Sequence, residues 1–108
     1  MRRPRKSFQG LSLTGVRIPP SPQNMYFIYV LKSQKDNYHY IGHTADVEAR
    51  LSIHNQGKVR STKNHRPLEI IYTEEFHMKS EAQTREYYLK RGRGNFWLRE
   101  ELKKRGLW

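Results

Sequence analysis

The chain contains no cysteine, which excludes a disulfide framework and any thiolate metal site. No apolar run approaches the roughly 20 residues that cross a bilayer, so no membrane partner is expected. Proline is scarce and localised: four of its five residues precede Met25, and the fifth is Pro67. Acidic residues are also few. Ten Asp+Glu stand against 21 Lys+Arg, a formal net charge of +11. That balance favours a polyanionic partner, DNA, RNA or an anionic membrane surface, and of these DNA is the expected one with RNA as the alternative. Hydrophobic residues make up 35% of the 108 residues, enough for one small core in one domain. A basic chain without cysteine or a membrane span is expected in the cytoplasm.

The first 24 residues differ in composition from the rest. They hold five basic residues (Arg2, Arg3, Arg5, Lys6, Arg17), no acid, and the run Pro19-Pro20-Ser21-Pro22. No helical or strand period is visible, so residues 1–24 read as a disordered basic extension. The apolar centre of a secretory signal is missing, and Pro19-Pro20 would break the amphipathic helix of an organelle transit peptide. A second expectation comes from Val16-Arg17-Ile18-Pro19. Back-translated as GTT-CGA-ATC-CCN, it matches the T-arm consensus of a transfer-RNA gene. On that reading the frame opens inside an upstream transfer-RNA gene and Met25 is the true initiator. Either way the domain is residues 25–108, which keep 16 basic and ten acidic residues.

From Met25 the pattern predicts a sequence of short elements. Tyr26 to Leu31 is β-branched and aromatic, a strand. Ser33 to Asn37 is a turn cluster, and Tyr38 to His43 is a second strand, closing a hairpin. With an even loop, Tyr29 and Tyr40 point to one face. Gly42 is expected to end the second strand where a side chain would obstruct. Thr44 or Asp46 caps a helix to about Gln56, stopped by Gly57. Val47, Arg50, Leu51 and His54 share one face of that helix. Lys58 to Pro67 is a basic loop. Leu68, Ile70, Tyr72 and Phe76 alternate with polar residues in a third strand. Ser80-Glu81-Ala82-Gln83 fits a capping box for a helix to about Arg91, and Asn95 can cap a last helix, Phe96 to Arg105. The expected fold class is α+β: a small three-stranded antiparallel sheet flanked by helices, in the order β-β-α-β-α-α.

Two phenols (Tyr29, Tyr40), a guanidinium (Arg50) and an imidazole (His54) thus fall within one hairpin-plus-helix unit. Phosphoryl chemistry needs those side-chain types. Glu86 lies between Ala82 and Leu89 on the apolar side of its helix. A carboxylate there is costly unless paired or bound to a cation. It is either a structural ion pair with Arg85, Arg50 or Lys90, or a metal ligand. His39, His43, His65 and His77 show no metal-ligand spacing, so no zinc site is expected.

The register Tyr29, Tyr40-Ile41-Gly42, Thr44, Arg50, His54-Asn55 and Glu86 resembles the GIY-YIG nuclease superfamily, in particular its small stand-alone bacterial branch. The nuclease domain of the repair excinuclease is another member. The resemblance covers Met25 to about Arg93. Phe27 departs from the Gly of the family's first tripeptide, a position that varies in the family. The resemblance implies a metal-dependent endonuclease that hydrolyses DNA phosphodiesters with little sequence specificity, in repair or recombination. It implies that Glu86 holds one Mg²⁺ or Mn²⁺ ion and that Arg50 stabilises phosphoryl charge. Tyr29 acts as or orients the general base, Tyr40 orients water or phosphate, and His54 shares the proton transfer. Lys58, Arg60, Lys63, Arg66, Lys90, Arg91 and Arg93 are the expected phosphate contacts. A homodimer or a partner protein would supply specificity. Two other readings remain open at this point: a non-catalytic basic binding module on the same fold, and an RNA- or ribosome-associated protein.

Overall fold

The structure, a computed structural model, describes residues 25–108; the expectations for residues 1–24 lie outside the described residues. The elements are β1 (Tyr26–Ser33), β2 (His39–Thr44), α1 (Val47–Asn55), a single 3-10 turn at Lys63–His65, β3 (Leu68–Phe76), α2 (Lys79–Leu89) and α3 (Gly92–Lys104). The sheet is antiparallel with strand order β2-β1-β3. Class, strand count and element order are those that the sequence pattern predicts.

β1 is the centre of the molecule because it is buried on both faces. Phe27, Tyr29 and Leu31 pack with Val47, Leu68 and Ile70 under α1. Ile28 and Val30 pack with Leu89, Leu98 and Leu102 under α2 and α3. Alternation along one strand thus feeds two cores, and the sheet is the middle layer of three. The hairpin turn is held by its own side chains. Ser33 Oγ accepts from Lys35 N and Asp36 N at 3.1 and 3.2 Å, and Asp36 Oδ1 accepts from Tyr38 N at 3.0 Å.

β3 departs from simple alternation. Val30 pairs with Tyr72 but Leu31 pairs with Ile70, so Ile71 is an extra residue, a β-bulge. Leu68 and Ile70 face α1, whereas Ile71 and Tyr72 join the core under α2 and α3. Helix starts are also reassigned. α2 begins at Lys79 with no side-chain cap, so the Ser80 capping box does not form. Asn95 lies inside α3, and its Nδ2 donates to the Leu89 carbonyl at 3.0 Å. It closes the end of α2 instead of starting α3. Both ends of α1 follow the pattern: Asp46 Oδ1 caps its start by accepting from Ala49 N, and Gly57 follows its end with φ of 81°, as Gly106 follows α3 with φ of 72°.

The α2–α3 junction is tight. A Cβ at Gly94 would stand 2.1 Å from the Tyr88 carbonyl oxygen, a backbone atom that has no rotamer to escape by. Gly94→Ala is therefore expected to lower stability by at least about 2 kcal/mol. Urea unfolding checks this: the midpoint should fall with the slope unchanged.

Candidate active site

Gly42 is the opening in the site. It stands opposite Tyr29 in the β1–β2 register. A Cβ there would be 2.7 Å from the Tyr29 hydroxyl and 3.0 Å from Tyr40 Cε2. The Tyr29 ring therefore runs across the bare backbone of β2, and its hydroxyl fills the space that a side chain would take. Gly42 does not end the strand, which continues to Thr44; the obstruction expected from the sequence is real, but it lies in mid-strand. Tyr40 shares this face, its ring centroid 6.2 Å from that of Tyr29.

α1 brings the other two residues. Its cap at Asp46 sets the helix start, and the i, i+4 spacing puts Arg50 and His54 in one row. Arg50 Nε donates to the Tyr29 hydroxyl at 3.4 Å. His54 Nε2 lies 3.0 Å from the same hydroxyl, and His54 Nδ1 lies 2.9 Å from Thr62 Oγ1. The imidazole sits edge-on to both tyrosine rings, at 5.8 and 4.8 Å. Its exposure is 0%. Burial, with the Arg50 charge adding to it, pulls the His54 pKa down to about 4. Burial likewise pushes Tyr29 up to about 12, despite the opposing hydrogen bond from Arg50. The Tyr29 hydrogen bond raises Arg50 above its usual value. The resting cluster is therefore a neutral phenol, a neutral imidazole and one fixed cation.

Glu86 approaches from α2. Its Oε1 lies 2.5 Å from His43 Nδ1 and its Oε2 2.6 Å from Lys90 Nζ. Burial pushes the Glu86 carboxyl up, but the hydrogen bonds from His43 and Lys90 outweigh it and hold it below its ordinary value. Lys90 ties the two parts of the site together: its ammonium is also 5.9 Å from the centre of the Tyr40 ring. Of the three partners expected for Glu86, only Lys90 is found. Arg85 instead makes a two-pronged contact with Glu74 at 2.8 and 3.0 Å, and Arg50 turns to Tyr29. Sequence reasoning missed His43. The available signal was β2 alternation, which puts His43 with Ile41 on the α2 side.

The basic residues divide. Lys58, Arg60, Lys63 and Arg66 are exposed on the loop after α1. Lys58, Arg60 and Lys63 have no ion pair among the described residues. Arg66 Nε donates to the Lys63 carbonyl at 2.8 Å. A groove of about 400 Å³ lined by Lys35, Asn55, Lys63, Asn64, Arg66 and Pro67 adds Lys35, which the sequence did not single out. Lys90 is engaged by Glu86. Arg91 lies 3.9 Å above the Tyr87 ring and donates to the Tyr87 carbonyl at 3.2 Å. Arg93 is exposed. A larger groove, about 560 Å³, lies between β3 and α2 and includes none of the site residues.

Among the described residues no group of three or more His, Cys, Asp and Glu converges as a metal cage. The donor set at Glu86 is one ionised, partly exposed carboxylate. That suits a hard ion such as Mg²⁺ or Mn²⁺, which keeps waters and takes one or two carboxylates plus phosphate oxygens.

The sequence model of the GIY-YIG catalytic domain matches residues 25–99. The chain is 47% identical over 66 residues to the UPF0213 protein SH2523 of Staphylococcus haemolyticus, covering 60% of this chain and 79% of that one. It is 46% identical over 69 residues to the UPF0213 protein YazA of Bacillus subtilis, covering 63% and 69%. The UPF0213 protein CPE1444 of Clostridium perfringens is 41% identical over 68 residues, covering 62% and 72%. No solved structure matches the chain significantly.

His54 makes stability depend on pH. Its folded pKa, about 4, is below the unfolded value of about 6.5. Between these values the unfolded chain binds more protons, so its contribution is complete above the unfolded pKa and is lost as pH falls through the folded one. The loss amounts to at most about 3 kcal/mol. His54→Gln keeps hydrogen-bonding groups without a titratable one, and should flatten this part of a stability–pH curve measured by urea unfolding.

Proposed function

The chain belongs to the GIY-YIG catalytic domain family, and from that premise we propose that it is a metal-dependent endonuclease hydrolysing phosphodiester bonds in DNA. The observation that carries this reading is the convergence of Tyr29, Tyr40, Arg50 and His54 on one side of Gly42, with Glu86 brought alongside through Lys90. A packing role for the tyrosines would not require a cation on the Tyr29 oxygen.

Glu86 would hold the Mg²⁺ or Mn²⁺ ion, which when bound supplies charge stabilisation at the phosphoryl and leaving oxygens. Arg50 binds the phosphoryl oxygens with the part of its fork that faces away from Tyr29. Tyr40 orients the water or the phosphate. Free phenolate at Tyr29 is rare near neutral pH, because burial holds that pKa near 12. Tyr29 therefore serves as a base by accepting the water's proton while its own proton moves to His54 Nε2. The phosphodiester bound by Arg50 offsets the positive charge that otherwise opposes an imidazolium. Lys90, which lies between Glu86 and the Tyr40 ring, would contact a phosphate oxygen.

The exposed Lys58, Arg60, Lys63 and Arg66, with Lys35, Arg91 and Arg93, position the backbone and read no bases. No helix in the described residues is long and apolar enough to cross a membrane, and nucleic acid is the partner that the family implies. DNA structure, as in branched or flapped repair and recombination intermediates, would select the substrate in the cytoplasm. A second copy or a partner protein would add specificity.

The test is cleavage of branched, flapped and plain duplex DNA with Mg²⁺ or Mn²⁺ by the full chain and by Glu86→Ala. Metal-dependent nicking by the parent should fall to background in the variant, while DNA binding persists and weakens steeply with salt. Cleavage unaffected by Glu86→Ala would remove Glu86 from the chemistry. Binding without cleavage by the parent would overturn the nuclease reading.

A further inference from the structure

The hydrogen bonds at Tyr29 form a chain with defined ends. Arg50 Nε contacts Tyr29 Oη at 3.4 Å; Tyr29 Oη contacts His54 Nε2 at 3.0 Å; His54 Nδ1 contacts Thr62 Oγ1 at 2.9 Å; and Thr62 Oγ1 contacts the Val59 carbonyl oxygen at 3.4 Å. The guanidinium can only donate and the carbonyl can only accept. One direction satisfies every link. Tyr29 donates its proton to His54 Nε2, His54 Nδ1–H donates to Thr62, and the Thr62 hydroxyl donates to Val59. In the opposite tautomer the Tyr29 oxygen would face two donors, and its own proton would have no acceptor among the described contacts.

We propose that Thr62 is a positioning residue of the active site: its hydroxyl accepts the Nδ1–H of His54, and so holds Nε2 bare and aimed at the Tyr29 proton. Thr62 lies on the basic loop and is itself 0% exposed. The loop carries Lys58, Arg60, Lys63 and Arg66 outward and this one hydroxyl inward. The Val59 carbonyl that terminates the chain also accepts from Thr62 N and Lys63 N at 3.1 and 3.0 Å, which fixes its position. The loop that meets the DNA backbone therefore also sets the protonation geometry of the base. An aliphatic side chain would pack at position 62, but would leave Nδ1 without a partner and release the tautomer. This role rests on the nuclease reading for its effect on rate, whereas the tautomer itself does not.

The experiment uses the full chain, Thr62→Val and Thr62→Ser. Nitrogen-15 NMR of the imidazole reads the His54 tautomer, and cleavage of flapped DNA with Mn²⁺ reads kcat and KM. In the parent, Nδ1 should carry the proton and Nε2 should be bare. Thr62→Val should lose that preference and lower kcat by roughly 10- to 100-fold, below the full contribution of a general base, with KM little changed. Thr62→Ser should restore both. A parent with the proton on Nε2, or a Thr62→Val variant with unchanged tautomer and kcat, overturns the proposal. If the parent cleaves nothing but Thr62→Val still releases the tautomer, the nuclease reading fails and the assignment of Thr62 to His54 stands.

Discussion

The site depends on one close approach: the Tyr29 hydroxyl lying where a side chain at Gly42 would be. β1 must be buried on both faces for the sheet to hold two cores, so Tyr29 has no route to solvent above its own strand. It reaches the β2 side only because residue 42 has no Cβ. Once the ring lies across that gap, the hydroxyl is fixed, and Arg50, His54 and Thr62 can be arranged around it. Arg50 and His54 take their row from the α1 cap at Asp46, whereas Glu86 comes separately from α2, held by His43 and Lys90.

Burial then divides the charges. Tyr29 and His54 are driven towards their neutral forms, whereas the half-buried Arg50 stays charged. Glu86 keeps its charge because His43 and Lys90 together outweigh the burial penalty. The result is a neutral hydrogen-bonded row beside cations and one carboxylate. A phosphodiester anion suits the cationic side, and a divalent ion suits the carboxylate. This separation of neutral from charged groups is a property of depth in the fold, and no single residue type encodes it.

Some of this was legible along the chain. Tyr29 and Tyr40 share a face because strand period is two and the hairpin loop keeps the parity. Arg50 and His54 share a row because helix neighbours recur at four. Other details were not legible. The β3 bulge at Ile71 is decided by two cores competing for hydrophobic residues, so Ile70 and Tyr72 part company although they are two apart. Ser80 and Asn95 look like helix caps, but packing of α2 on the sheet and the close passage of Gly94 under Tyr88 set the helix ends. His43 shows no ligand spacing because its partner is 43 residues away on α2.

By itself the sequence determined the three strands and three helices, their order, the basic charge and which residues could do phosphoryl chemistry, since periodicity, capping and composition act locally. Tertiary structure alone decided that Arg50 and Arg85 turn away from Glu86, to Tyr29 and Glu74, and that His43 joins Glu86 beside its i, i+4 neighbour Lys90. These are contacts between elements far apart in sequence. Their distances follow from how the layers stack on β1, and no local period carries that information.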